Sequence, residues 1–202
     1  MRIRSFIGGF ALGCVTLLGA ANAFQQDPPD MEQMEKMWQE AMEKYGTPSD
    51  EHKMYAKREG SWTFIGEHWV TPGVAGPPFE GTADFTMLLD GRFLGGHHTS
   101  KGPMGNFEGY GLNGYDRMKK KHTSMWVDNM STGIVTMEGD ATGPNTYEFH
   151  GMMPDPMSGK YVKYRSIERV VDEDTLVMEM YGPGPDGKEF LTMKLTYKRI
   201  KD

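Results

Sequence analysis

From Gly60 to the C-terminus, turn-forming residues interrupt the chain at short intervals, and between them apolar and polar residues alternate. This pattern constrains the fold more than any other feature. A period of two places successive side chains on opposite faces of a strand, and segments this short leave no room for the long crossovers that parallel pairing needs. The alternation predicts strands near 61–70, 80–90, 92–101, 106–116, 121–128, 133–139, 145–151, 160–171, 175–182 and 188–200. The separators carry turn chemistry: Thr71-Pro72-Gly73 through Pro77-Pro78, Asp90-Gly91, Gly102-Pro103, Ser131-Thr132-Gly133, Gly143-Pro144-Asn145, Asp172-Glu173-Asp174. Sequential antiparallel neighbours follow.

About ten such strands can curl until the last pairs with the first, which removes both exposed edges. The expected fold is therefore all-β, an antiparallel up-and-down barrel with one apolar lining. Leu191, Met193, Leu195 and Tyr197 form one face of the last strand, and Ala83, Phe85, Met87 and Leu89 one face of an early strand; both sets are expected inside. On the first strand Trp62, Phe64, Gly66 and His68 share one face, and Thr63, Ile65, Glu67 and Trp69 the other. Hydrophobicity alone does not choose between those two.

One or two helices precede the strands. Met31, Met34, Trp38, Met42 and Tyr45 recur at helical spacing, with Asp30 as a candidate N-cap and Gly46 and Pro48 at the end. A second short helix is expected over 49–59, ending at Gly60.

The entrance Gly60-Ser61-Trp62 and the closing Arg199 resemble the G-x-W motif and terminal arginine of the lipocalin-like, or calycin, barrels, where the arginine packs on the tryptophan and seals one end. A guanidinium can stack on an indole while donating to nearby carbonyls. Three further stretches, Leu89-Asp90-Gly91-Arg92-Phe93-Leu94, Phe107 through Asp116, and Trp126-Val127-Asp128 with Ser131-Thr132-Gly133, are similar to those of a bacterial family, domain-of-unknown-function family fifteen-seventy-nine. The resemblance spans roughly residues 50 to 200 and implies a lipocalin-like barrel. It implies no chemistry.

At the other end of the chain, the basic Met1-Arg2-Ile3-Arg4, the apolar run from Phe6 to Ala20 and the small residues of Ala21-Asn22-Ala23 read as a secretory signal cleaved after Ala23. The apolar run is shorter than the roughly 20 residues of a membrane-crossing helix. Residues 1–23 are thus read as leader, 24–48 as linker and methionine-rich helix, and 49–202 as the barrel domain, with no membrane span in the mature chain. The mature protein is expected to be periplasmic or secreted. Cys14, the only cysteine, lies in the leader; a lipoprotein anchored through it is the minor alternative, and the mature chain has no thiol. Loss of Arg2 and Arg4 moves the formal charge from −6 to −8, which opposes binding to nucleic acid.

The candidate ligand-binding residues, lining a cavity or its rim, are His68, His97, His98, Tyr110, Trp126, Met178, Met180 and Met193; Gly60, Trp62 and Arg199 are the candidate closure. Alternation places one of His97 and His98 inward. No two histidines have ligand spacing on one strand face, so both are expected as ordinary polar residues near the rim, and neither haem nor metal is assigned. Met31, Met34, Met37 and Trp38 resemble a soft Cu(I) site, but a methionine stripe at helical spacing is more often a packing face. Asp84, Glu108, Asp116, Asp128 and Glu148 show no acid–base pairing, and Gly109, Gly111 and Gly114 lie in a strand with no following helix, where they are expected to let it bend rather than to bind a dinucleotide.

The resulting reading is a non-catalytic barrel that binds a small, mostly apolar molecule, with no cofactor specified. Two alternatives stand beside it: a filled structural barrel that meets a protein partner through the Met31–Tyr45 helix, and an enzyme with a polar site at the mouth built from His68, His98, Tyr110 or Asp128. Export has its own test, because Ala21 and Ala23 supply the small residues that the signal peptidase requires. N-terminal sequencing of the exported product is expected to begin at Phe24; a product beginning at a lipidated Cys14 would overturn this reading.

Overall fold

The computed structural model describes residues 30–102, 105–156 and 158–201. The leader, Cys14 and the first part of the linker lie outside the described residues.

Two short helices lead into the strands. α1 spans Met31–Ala41, capped by Asp30, whose side chain accepts from the Gln33 amide at 2.9 Å. The helix then widens into one π-type turn, Met42–Gly46, where a single regular helix to Tyr45 is expected from the sequence. α2 spans Asp50–Ala56. Its first turn is fixed by the Ser49 amide, which donates to His52 Nδ1 at 2.9 Å. No residue of α1 is buried, and Met31, Met37 and Trp38 stand in the open. Just after α1 the chain is tied to the barrel: Arg92 donates to the Gly46 carbonyl and Arg117 to the Thr47 carbonyl.

Eleven strands follow: β1 Gly60–Thr71, β2 Val74–Ala75, β3 Phe79–Leu88, β4 Phe93–Gly102, β5 Gly105–Asp116, β6 Lys121–Asp128, β7 Val135–Gly143, β8 Thr146–Asp155, β9 Lys160–Asp172, β10 Thr175–Pro183 and β11 Glu189–Arg199. Ten of them form one antiparallel barrel in chain order, and β11 pairs with β1 to close it. β2 is the extra strand. It folds back on the end of β1 within a segment expected to be only turn.

β3 also ends sooner than expected. Leu89, Asp90 and Gly91 have positive φ and form the turn, so Leu89 is exposed rather than part of the lining.

The face of β1 left open by hydrophobicity is settled by packing: Trp62, Phe64 and Gly66 are buried and Ile65 is exposed. The reason lies in the neighbours. The Phe79 ring lies where a Cβ on Gly66 would stand, and the Phe64 ring does the same over Gly81. Those two glycines let aromatic rings from adjoining strands lie flat against the wall. Around them Ala83, Phe85, Leu94, Leu195 and Tyr197 complete a core at one end of the barrel.

α2 plugs that end. Tyr55 is almost fully buried; its hydroxyl donates to the Gly114 carbonyl at 3.1 Å and lies 2.9 Å from His122 Nδ1. Trp62 is 0% exposed, and its indole N–H donates to the Arg58 carbonyl at 2.9 Å. The Arg199 guanidinium sits 4.2 Å above the Trp62 ring. It also donates to the carbonyls of Glu59, Lys57 and Glu173. Arg199 thus satisfies the open end of the α2 turn and the β9–β10 turn at once, directly opposite Trp62 in the β1–β11 register.

Truncating this seal leaves a cavity where the sheet closes. Trp62→Ala is expected to cost about 3–5 kcal/mol, as large aromatic truncations in cores do, measured by denaturant unfolding; a near-neutral result would show that closure does not depend on this residue.

Candidate ligand-binding cavity

The inward faces beyond the plugged end enclose a cavity of about 670 Å³, within the range of small-molecule sites. Its wall is aromatic and thioether: Phe64, Trp126, Phe149, Met137, Met178 and Met193 line it. Small residues make the room. Gly109 leaves space for the Trp126 indole, which would lie 2.3 Å from a Cβ there, and Gly111 lies against the same ring, 3.4 Å from a Cβ; Gly114 leaves space for Phe93, and neither of that pair lines the cavity. The observed role of these glycines is close approach of rings, where strand bending is expected from sequence.

Of the candidates taken from sequence, His68, His98, Trp126, Met178, Met180 and Met193 line this cavity. His97 and Tyr110 do not. They pair across β4 and β5 on the outer wall, their rings stacked at 4.5 Å, and both meet Glu108 Oε1, at 2.9 and 2.8 Å. Parity explains the correction: with His98 and Gly109 turned inward, their partners one residue along must face solvent. His98 in turn is buried in the barrel wall rather than near the rim, between Phe64, Phe85 and Trp126. Asp128 lines the cavity and accepts from the Trp126 indole N–H at 2.8 Å. Among the described residues no three His, Cys, Asp or Glu side chains are placed to hold a metal.

The deeper part of the cavity is polar, and sequence reasoning missed it. Arg58, from the end of α2, is 6% exposed and pairs with Glu168 Oε2 at 2.6 Å. Its guanidinium also lies 5.6 Å from the rings of both Tyr55 and Tyr147. Ser166, on the same face of β9 as Glu168, and Asn113 on β5 add further polar groups to the cavity lining. The signal for Ser166 and Glu168 was present as polar residues at the inward parity of an otherwise apolar strand face. Arg58 gave none, because it enters from outside the strand pattern.

Burial governs the ionisation of this interior. Desolvation pushes the His98 ring down to about 4, with a smaller push from His97, so the ring is neutral at neutral pH. Its Nε2 lies 3.2 Å from the Tyr197 hydroxyl. Desolvation also lowers His122, with the Arg58 charge adding to it, and raises the Tyr55 and Tyr197 hydroxyls.

The profile of the family described as "Protein of unknown function (DUF1579)" matches residues 47–199. The chain belongs to that family. The match leaves α1 outside and begins just before α2, so the plug, the closure and the whole cavity wall are part of the DUF1579 region. No curated protein matches the chain. Among solved structures, the crystal structure of Rv2717c from M. tuberculosis is similar with a TM-score of 0.52 at 14% identity, covering 77% of this chain and 100% of that one. At that identity the likeness concerns the fold.

The buried histidine gives the DUF1579 barrel a signed pH dependence. Above the unfolded value near 6.5 the ring is neutral in both states and costs nothing. As pH falls from 6.5 toward 4 the unfolded chain takes up a proton that the folded barrel refuses, and stability drops. At about 1.4 kcal/mol per pH unit the loss is about 3 kcal/mol. Denaturant unfolding at pH 7.5 and 4.5 is expected to show this fall, and His98→Gln to flatten it; an equal fall in the variant would assign it to other groups.

Proposed function

We propose that the protein is an exported barrel that binds a small, mostly apolar molecule in its cavity. The observation that carries the reading is the cavity itself, about 670 Å³ bounded by Phe64, Trp126, Phe149 and a set of methionines. Apolar surface left unfilled inside a barrel forfeits contacts that a packed interior would make, and a ligand of matching shape restores them. Methionine thioethers are unbranched and polarizable, so this wall adapts to ligands of more than one shape. Export rests on the leader pattern of residues 1–23.

Mass spectrometry of the protein purified from its native host is expected to find an apolar molecule bound at about one per barrel. Gly111→Leu supplies the control. Gly111 lines the cavity, and a Cβ there meets Trp126 at 3.4 Å and the nearest backbone atom, the Met125 carbonyl oxygen, at 3.8 Å, both ordinary contact, so a side chain can be introduced at this point of the wall. The variant is expected to fold and to lose the molecule. A wild-type barrel that is empty, or a variant that retains the same molecule, would sink the reading.

A further inference from the structure

Four buried side-chain polar atoms lack a hydrogen-bond partner among the described residues: Arg58 Nε, His98 Nδ1, Asn113 Oδ1 and Ser166 Oγ. All four residues line the same cavity. Buried polar groups in folded proteins are nearly always paired, so four unpaired ones in residues that line one cavity point to chemistry that arrives from outside the chain. Three belong to side chains more than nine-tenths buried: Arg58, His98 and Ser166 are 6%, 7% and 4% exposed.

The charge balance at this site decides what can arrive. The Arg58 guanidinium already has its counterion in Glu168, at 2.6 Å, and the pair is neutral as a whole. An anionic head group would have to stand against Glu168 or draw Arg58 away from it, leaving a carboxylate buried and unpaired, which is strongly unfavourable. A cationic head would meet the same obstacle from Arg58. A neutral head meets neither.

Hydrogen-bonding capacity narrows the class further. Arg58 Nε–H can only donate, Asn113 Oδ1 can only accept, and the Ser166 hydroxyl can do either. A complementary head therefore needs both an acceptor and a donor within one small group, as a hydroxyl or a primary amide has.

We propose, building on the apolar-ligand reading, that the ligand is an uncharged amphiphile of the long-chain alcohol or amide class. Its head is held by Arg58, Asn113 and Ser166, and its tail runs along the aromatic and methionine wall.

The test is a calorimetric titration of the full chain with decanol, decanamide, decanoate at pH 8, and 1-chlorodecane, which share a chain and differ in the head. Decanol and decanamide are expected to bind at least tenfold more tightly than the other two. Ser166→Ala, a small change at a wall position, is expected to weaken decanol several-fold while leaving 1-chlorodecane within twofold. Equal affinity for decanol and 1-chlorodecane would overturn the head-group assignment and leave the apolar reading standing. Tightest binding of decanoate would replace the neutral head with an anionic one. Failure of all four probes to bind would overturn both readings together.

Discussion

The pairing of β1 with β11 is the constraint on which the rest depends. Without it the ten strands are an open sheet with two unpaired edges and no inside; with it every backbone ladder is closed and one face of every strand becomes interior. The seal is made by side chains as much as by backbone. Arg199 stacks on Trp62 and donates to carbonyls of the α2 turn and the β9–β10 turn, so one side chain joins three segments distant in sequence. Closure and plugging of the end are thus a single event: the helix that fills the end is held by the residue that ends the last strand.

Closing one end fixes where the polar residues must go. α2 brings Arg58 inside, and a guanidinium buried there needs a counterion, which β9 supplies as Glu168. The interior therefore has two regions of different character, a charged but balanced base and an aromatic and thioether wall. Breaking the pair from either side would leave an uncompensated charge in the core, whereas a neutral group placed beside it leaves the balance intact. The neutral His98 fits the same logic, since burial favours its uncharged form.

α1 obeys a different rule. Its apolar residues Met31, Met34, Met37 and Trp38 are all exposed, and its own cap and hydrogen bonds hold it rather than packing on the barrel. A helix of this length gains little stability in isolation. The family match and the barrel core both begin after it.

The architecture was legible in the sequence because it rests on local signals: alternation sets strand faces, turn residues set strand ends, and short connections set antiparallel order. The Trp62–Arg199 pair was legible for a similar reason, as two motifs at the ends of a chain whose first and last strands must meet. Where local signals conflicted or fell silent, tertiary structure decided. The inward face of β1 was chosen by the fit of Phe79 over Gly66 and Phe64 over Gly81, contacts between strands that no single strand encodes. Parity identified one inward histidine of the His97–His98 pair without saying which, and it was the closed ladder that turned His98 in and sent His97 and Tyr110 out. The polar lining was the least legible part, because Arg58, Asn113 and Ser166 come from the turn after α2 and two non-adjacent strands and share a cavity only when the barrel has closed around them. Sequence by itself determined which side chains alternate; only closure determined which of them share an interior.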